Sequence, residues 1–127
     1  MNIPRRKPLA ARLGILGVGH ATYWPQFPGL REELMQHLAT FEAKVASQQV
    51  ETVNFGMVDS AEAAYAALER IRAAGIDLLF VDMLTYATSA TFAAICRAEL
   101  CPIVLVALQP DKALDYHRAS TYRQLVN

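Results

Sequence analysis

Four apolar runs, each of strand length, constrain the fold of this chain more than any other feature of its sequence. They cover residues 13–18, 50–55, 76–83 and 102–108. Three of the runs are apolar almost throughout, which is typical of strands buried on both faces of a parallel sheet, and residues 50–55 are assigned from the β-branched Val50, Thr52 and Val53. Since parallel neighbours need crossover connections, helices are expected between the runs.

Three helical patterns lie between these runs. The first is a stripe with spacings of three and four residues, formed by Leu30, Leu34, Leu38, Phe41 and Val45. A second helix is expected to begin at a sequence that resembles a capping box, Asp59-Ser60-Ala61-Glu62, and to reach about Ala74, where Gly75 supplies a left-handed stop. A third helix is expected over residues 91–100, with Phe92, Ile95 and Cys96 facing inward.

The alternation of strands and helices predicts an α/β fold. We expect a doubly wound, flavodoxin-like or Rossmann-like three-layer sandwich, with a parallel sheet of at least four strands in the order 2-1-3-4. The chain is expected to form a single domain over residues 1–127, with a loose basic arm (1–11), a core (12–108) and an irregular tail (109–127). Ligands of such sheets bind at the carboxyl ends of the strands, here in loops 19–29 and 83–89 and from Gln109 onward.

Composition narrows the function classes. Hydrophobic residues make up 54% of the 127 residues and charged residues 19%, which excludes a disordered chain. Twelve basic residues balance twelve acidic ones, so the charge gives no indication of nucleic-acid binding. No apolar stretch is long enough for a membrane span, and two cysteines predict buried, reduced thiols in a cytoplasmic protein. An apolar, uncharged domain tends to associate, which predicts a homo-oligomer.

The usual cofactor and active-site patterns are incomplete. Gly17 and Gly19 begin a dinucleotide fingerprint, but Thr22 stands at the third glycine position, and the predicted second strand ends without an acidic residue. The histidines His20, His37 and His117 are far apart in the sequence, and His37 is expected on an exposed helix face. We therefore expect no cofactor, no metal ion and no catalytic residue in this chain itself.

The loop after the first strand holds the most distinctive residues, namely His20, Thr22, Tyr23, Trp24, Gln26 and Phe27. Aromatic rings beside amide and hydroxyl groups suit stacking on a polyhydroxylated ligand. Alternatively, Trp24 and Phe27 fill a hydrophobic seam against the first helix or a neighbouring subunit. Composition alone leaves both interpretations open.

The sequence of this loop also carries a family resemblance. Residues 19–30, Gly-His-Ala-Thr-Tyr-Trp-Pro-Gln-Phe-Pro-Gly-Leu, resemble the start of proteins in the L-fucose and L-arabinose isomerase superfamily. The later segments that agree are 53–59, 77–80, 85–87, 108–110 and 113–116. The resemblance thus extends from about Arg12 to about Tyr116.

The resemblance implies a reaction and indicates which domains of the enzyme contribute to it. Members of the superfamily interconvert aldoses and ketoses through an enediol, with a divalent metal, usually Mn²⁺, and two carboxylates that lie in later domains. Their N-terminal domain is a doubly wound α/β unit that contributes loop residues to the active site of a neighbouring subunit. The resemblance therefore implies a pentose or deoxyhexose as ligand, and remaining catalytic domains or a catalytic chain as partners.

The resemblance and the composition of the loop together give eight predicted sugar-binding residues: His20, Thr22, Tyr23, Trp24, Gln26, Thr85, Tyr86 and Gln109. The expected function is that of a substrate-recognition and assembly domain of an aldose–ketose isomerase, whose metal-dependent active site is completed by other domains or subunits. The alternatives are a stand-alone sugar- or small-molecule-binding module and a structural oligomerisation domain.

Overall fold

A computed structural model describes residues 10–109, 112–113, 115–118 and 120–121. The elements in chain order are β1 (Arg12–Val18), α1 (Leu30–Ala46), β2 (Glu51–Val58), α2 (Ala61–Ala74), β3 (Leu78–Met83), α3 (Ala93–Arg97) and β4 (Ile103–Val106). Short 3₁₀ turns cover Ala21–Tyr23, Ser89–Thr91 and Tyr116–Arg118. The four strands form a parallel sheet in the order β2-β1-β3-β4, which confirms the predicted α/β class and strand order.

The two faces of the sheet have separate cores because successive strand residues point to opposite sides. On one face Ile15 packs with three fully buried leucines of α1, namely Leu30, Leu34 and Leu38. On the other face Leu16 packs with apolar residues of α2 and α3. The predicted helical stripe of α1 is therefore confirmed, and the helix–sheet–helix layering is that of a three-layer sandwich.

Gly17 allows α1 to approach the middle of the sheet closely. A Cβ atom at this position would lie 2.5 Å from Leu84 Cδ1 and 3.1 Å from Leu38 Cδ2. The packing of Leu38 and Leu84 against β1 therefore depends on the missing side chain.

The second strand is longer than predicted because it contains a bulge. The register with β1 shifts where Gly56 takes a φ of 77°, and the strand then continues to Val58. Asn54 stabilises the bulge, since its Oδ1 accepts a hydrogen bond of 2.7 Å from the Gly56 N–H. The predicted end at residue 55 was therefore wrong, because this glycine bends the strand without ending it.

The last helix and the last strand are shorter than predicted. The expected helix over residues 91–100 is a 3₁₀ turn followed by the five residues of α3. Glu99 has a φ of 49°, and Pro102 disfavours a helical conformation in the residue before it, so the chain leaves the helix early. The predicted strands 76–83 and 102–108 shorten to Leu78–Met83 and Ile103–Val106.

Strand β4 is not covered on both faces, contrary to prediction. Val104 is 40% exposed and Leu105 60% exposed, and these neighbours point to opposite faces of the sheet. Helix α1 packs against β1 and β2, and β4 pairs with β3 as the last strand in the described sheet. Both faces of this edge therefore present apolar side chains.

Several remaining predictions concern the cysteines and the chain ends. Cys96 and Cys101 are free thiols, as expected, but both are only partly buried, and burial raises the pKa of each. Most of the predicted arm and tail lies outside the described residues. Within the described part of the chain, no helix is long and apolar enough to cross a membrane.

Candidate functional site at the carboxyl edge of the sheet

The predicted site residues follow strands that all end at one edge of the sheet. Strands β1, β3 and β4 are parallel, so the loops after them lie on the same side. The strand order reverses between β1 and β3, where Gly17 pairs with Asp82 and the Leu84 N–H donates to the Val18 carbonyl at 3.1 Å. In open α/β sheets such a switch point is where ligands bind.

The loop over residues 19–29, the aromatic loop, is tied to the end of β2. The Gly19 N–H donates to the Val58 carbonyl at 2.9 Å, and the Ala21 N–H donates to the Asp59 carbonyl at 3.1 Å. The indole Nε1 of Trp24 donates to Asp59 Oδ2 at 2.7 Å. A hydrogen bond to a carboxylate is stronger than one between neutral groups, so this contact holds the loop most firmly.

Trp24 is a packed side chain. It is half-buried and contacts the α1-side core together with Tyr23 and Phe27. A Cβ atom at Gly19 would lie 2.9 Å from the Trp24 ring, so this glycine leaves room for the indole. The packing matches the interpretation of Trp24 and Phe27 as a hydrophobic seam against α1, and contact of Trp24 with a sugar stays a prediction.

The polar members of the aromatic loop lie at its surface. Thr22 and Gln26 are exposed, and the Gln26 side chain donates to the Thr22 carbonyl at 2.8 Å. The rings of His20 and Tyr23 are in contact, with centroids 5.3 Å apart, and Tyr23 meets Phe27 edge-on at 6.3 Å. The loop thus presents imidazole, hydroxyl and amide groups on an aromatic base.

The two predicted residues after β3 have opposite environments. Thr85 is 1% exposed, and its hydroxyl oxygen has no hydrogen-bond partner in the described chain. Tyr86 is 66% exposed. The ring of Tyr86 is therefore accessible to a ligand, whereas the Thr85 hydroxyl lies in the interior.

Gln109 belongs to a separate part of the edge, which we call the Asp82 cavity. This cavity has a volume of about 510 Å³ and lies between α1 and the chain that follows β4. Its lining residues are His37, Thr40, Phe41, Lys44, Asp82, Leu108 and Gln109. The volume is within the usual range for small-molecule sites.

Asp82 is the unusual residue of this cavity. It is 1% exposed, and neither of its carboxylate oxygens has a hydrogen-bond partner in the described chain. Burial raises the pKa of this carboxyl from 3.8 to about 6. Buried carboxylates are nearly always paired or hydrogen-bonded, so this group is exceptional.

The sequence interpretation missed both Asp82 and His37 as cavity residues. His37 was expected to be plainly exposed, but it is partly buried and lines the cavity. The available signal was Asp82 itself, a charged residue inside an apolar run and near the carboxyl end of its strand. A charge in that position needs an explanation that apolar periodicity does not supply.

The site does not fit a dinucleotide. An acidic residue, Asp59, does follow β2, so the expectation that none stands there was wrong. Its carboxylate, however, is bound to Trp24, and the indole packs against Gly19 where a pyrophosphate would approach. Helix α1 begins only at Leu30, so no α-helix N-terminus follows the glycines directly.

The described residues do not fit a metal centre either. They contain no group of three or more histidine, cysteine, aspartate or glutamate residues that could hold an ion. The Mn²⁺ that the family resemblance implies therefore finds no ligand set in this part of the chain.

Comparisons with protein-family models, with curated proteins and with solved structures found no match.

Proposed function

We propose that this chain is a substrate-recognition and assembly domain of an aldose–ketose sugar isomerase of the L-arabinose or L-fucose type. The observation that carries the proposal is the placement of the segments that resemble this superfamily. Residues 19–30, 85–87 and Gln109 follow three parallel strands and lie at one edge, on both sides of the β1/β3 switch point. Ligand-contacting loops are expected at this edge of such a sheet.

The aromatic loop supplies the chemistry that a sugar requires. His20, Thr22 and Gln26 offer donors and acceptors for hydroxyl groups, and the exposed Tyr86 ring offers a face for stacking. The Trp24–Asp59 hydrogen bond fixes the loop before the ligand arrives. A loop held in this way loses less conformational entropy when it binds.

In this proposal the chain orients the sugar and other domains carry out the reaction. When bound, the metal of the complete enzyme would polarise the sugar carbonyl. Because the described residues hold no cluster of metal ligands, we assign no metal-dependent step to them. Their part is to hold the hydroxyl groups of the substrate and to exclude water from one side of the site.

The assembly role rests on the open edge of the sheet. Val104, Leu105 and Leu108 are each at least 40% exposed and lie at or just beyond β4. Adjacent apolar residues on a surface are typical of contacts with other subunits or domains. We therefore propose that β4 faces a sister domain or a second copy of the chain.

Steady-state kinetics of the enzyme reconstituted with its remaining domains and Mn²⁺ test the proposal. Gln26→Ala should raise the KM for L-arabinose or L-fucose roughly fivefold, the value of one hydrogen bond. Gln36→Ala is the matched control, because Gln36 is an exposed glutamine of α1. Isomerase activity from this chain alone, or a KM that Gln26→Ala leaves unchanged, would contradict the assignment.

The exposed polar groups of the aromatic loop also favour a second candidate, a stand-alone sugar- or small-molecule-binding module. Calorimetric titration of the isolated chain with L-arabinose and L-fucose separates the two. Submillimolar binding by the isolated chain supports the module. Absence of binding, together with activity after reconstitution, supports the isomerase domain.

A further inference from the structure

The carboxylate of Asp82 has no compensating charge in the described chain. The ion pairs found there, Arg12 with Glu51 and Arg72 with Glu69, lie elsewhere. Lys44 and His37 line the same cavity, yet neither donates to Asp82. Its neighbours in the sheet, Gly17 on β1 and Val106 on β4, carry no charge.

Asp82 lines the cavity, and both of its carboxylate oxygens are shielded from solvent. Nothing in the described chain satisfies either oxygen. Burying an unpaired carboxylate costs several kcal/mol, which a cation that brings hydrogen-bond donors would largely recover. Such a cation both neutralises the charge and satisfies the oxygens.

We propose that the Asp82 cavity binds a small organic cation, a primary ammonium or guanidinium group on a compact apolar body, and that its charged end pairs with Asp82. An anion would be repelled by the carboxylate. A neutral polyol would donate hydrogen bonds but leave the charge unpaired.

The remaining wall suits the apolar body of such a ligand. Phe41 packs edge-on against Phe80, with centroids 5.7 Å apart, which fixes one ring at the cavity wall. Leu108 adds an aliphatic side chain, and Thr40 and Gln109 add polar groups. Because both carboxylate oxygens are shielded from solvent, the proposal requires the exposed side chains of Leu108 or Gln109 to move aside when the cation enters.

Benzylammonium is a suitable probe, and benzyl alcohol is its neutral counterpart of nearly the same shape. We expect benzylammonium to bind at pH 7.5 and to shift the amide resonances of Thr40, Phe41 and Gln109 in heteronuclear NMR spectra. Asp82→Asn should weaken its binding at least about tenfold, the value of a charge-assisted hydrogen bond. Benzyl alcohol carries no charge, so Asp82→Asn should reduce its affinity much less.

The control variant is Glu62→Gln, which removes one negative charge from the exposed first turn of α2. It should leave benzylammonium affinity unchanged. If Asp82→Asn and Glu62→Gln have the same effect, or if benzylammonium shifts no resonance near the cavity, the proposal is wrong.

The unaltered chain provides a second test that does not depend on a variant folding. Benzylammonium stays protonated between pH 5.0 and 7.5, whereas the Asp82 pKa of about 6 lies inside this range. The affinity should therefore fall roughly tenfold between pH 7.5 and 5.0, as the ionised fraction of Asp82 falls. His37 lines the same cavity, so the dependence must persist in His37→Gln; its loss in that variant would refute the role of Asp82. Sugar binding at the aromatic loop is independent of either outcome.

Discussion

Asp82→Asn should make the protein more stable at neutral pH. Burial raises the pKa of Asp82 from 3.8 to about 6, so the folded state binds this proton more tightly than the unfolded state does. Linkage then requires that the free energy of unfolding fall as the pH rises between these values and stay low above pH 6. The asparagine side chain has nearly the same shape and never ionises.

The difference in pKa sets the size of the effect. An ionised Asp82 costs roughly 3 kcal/mol of stability at pH 8, about half as much at pH 5 and less than about 1 kcal/mol at pH 4. Asparagine avoids this cost because it does not ionise. Its buried amide lacks hydrogen-bond partners as the protonated carboxyl does, so the cost of an unpaired polar group is similar in the two proteins. The stability advantage of Asp82→Asn should therefore be largest at pH 8 and nearly vanish by pH 4.

Urea denaturation followed by far-ultraviolet circular dichroism at pH 4, 5, 6.5 and 8 measures this advantage. Subtracting the free energies of unfolding of the two proteins removes the contribution of every other titratable group that the substitution does not affect. A difference that stays constant from pH 4 to pH 8, or one that grows as the pH falls, would refute the claim that Asp82 is buried without a partner.

Three further substitutions test the packing. Trp24→Phe removes the indole hydrogen bond to Asp59 and should cost about 1–2 kcal/mol in urea denaturation; an unchanged midpoint would mean that this bond does not hold the loop. Gly17→Ala places a Cβ atom 2.5 Å from the buried side chain of Leu84 and should cost about 1–3 kcal/mol, whereas a neutral result would show that the Leu84 side chain can move aside. Leu105→Lys alters a side chain that is 60% exposed and should change stability by less than about 0.5 kcal/mol. Sedimentation at several concentrations should show weaker self-association for Leu105→Lys, and equal association of both proteins would argue against β4 as a contact surface.

The parts of the fold that follow from local sequence were predictable. The leucine stripe of α1 and the left-handed Gly75, with a φ of 59°, each act within one element, and both were confirmed. The end of β2 was not predictable, because Gly56 can end a strand or form a bulge, and pairing with β1 decides between the two. The early end of α3 depends on Glu99, a non-glycine residue with positive φ that no propensity favours.

The candidate site was predictable only in part. Parallel strands bring residues that follow β1, β3 and β4 to one edge, so the location follows from topology. The hydrogen bond between Trp24 and Asp59 joins residues far apart in the sequence, and no sequence motif predicts it. Asp82 was not predicted as a site residue, because the apolar run accounts for the strand but not for a charged side chain within it. That the carboxylate has no hydrogen-bond partner is apparent only in the folded chain, where residues of α1 and residues after β4 line the same cavity.

Trp24 is the only tryptophan of the 127 residues, and it lies in the loop that follows β1 and is bonded to the end of β2. Its emission therefore reports on one known place in the molecule. The emission maximum of an indole that donates to a carboxylate and is partly shielded from water differs from that of an indole in solvent. Departure of the loop from the end of β2 should therefore shift the fluorescence emission maximum of Trp24. The protein thus contains its own optical label at the edge where ligands are expected, and occupancy can be followed without attaching a dye.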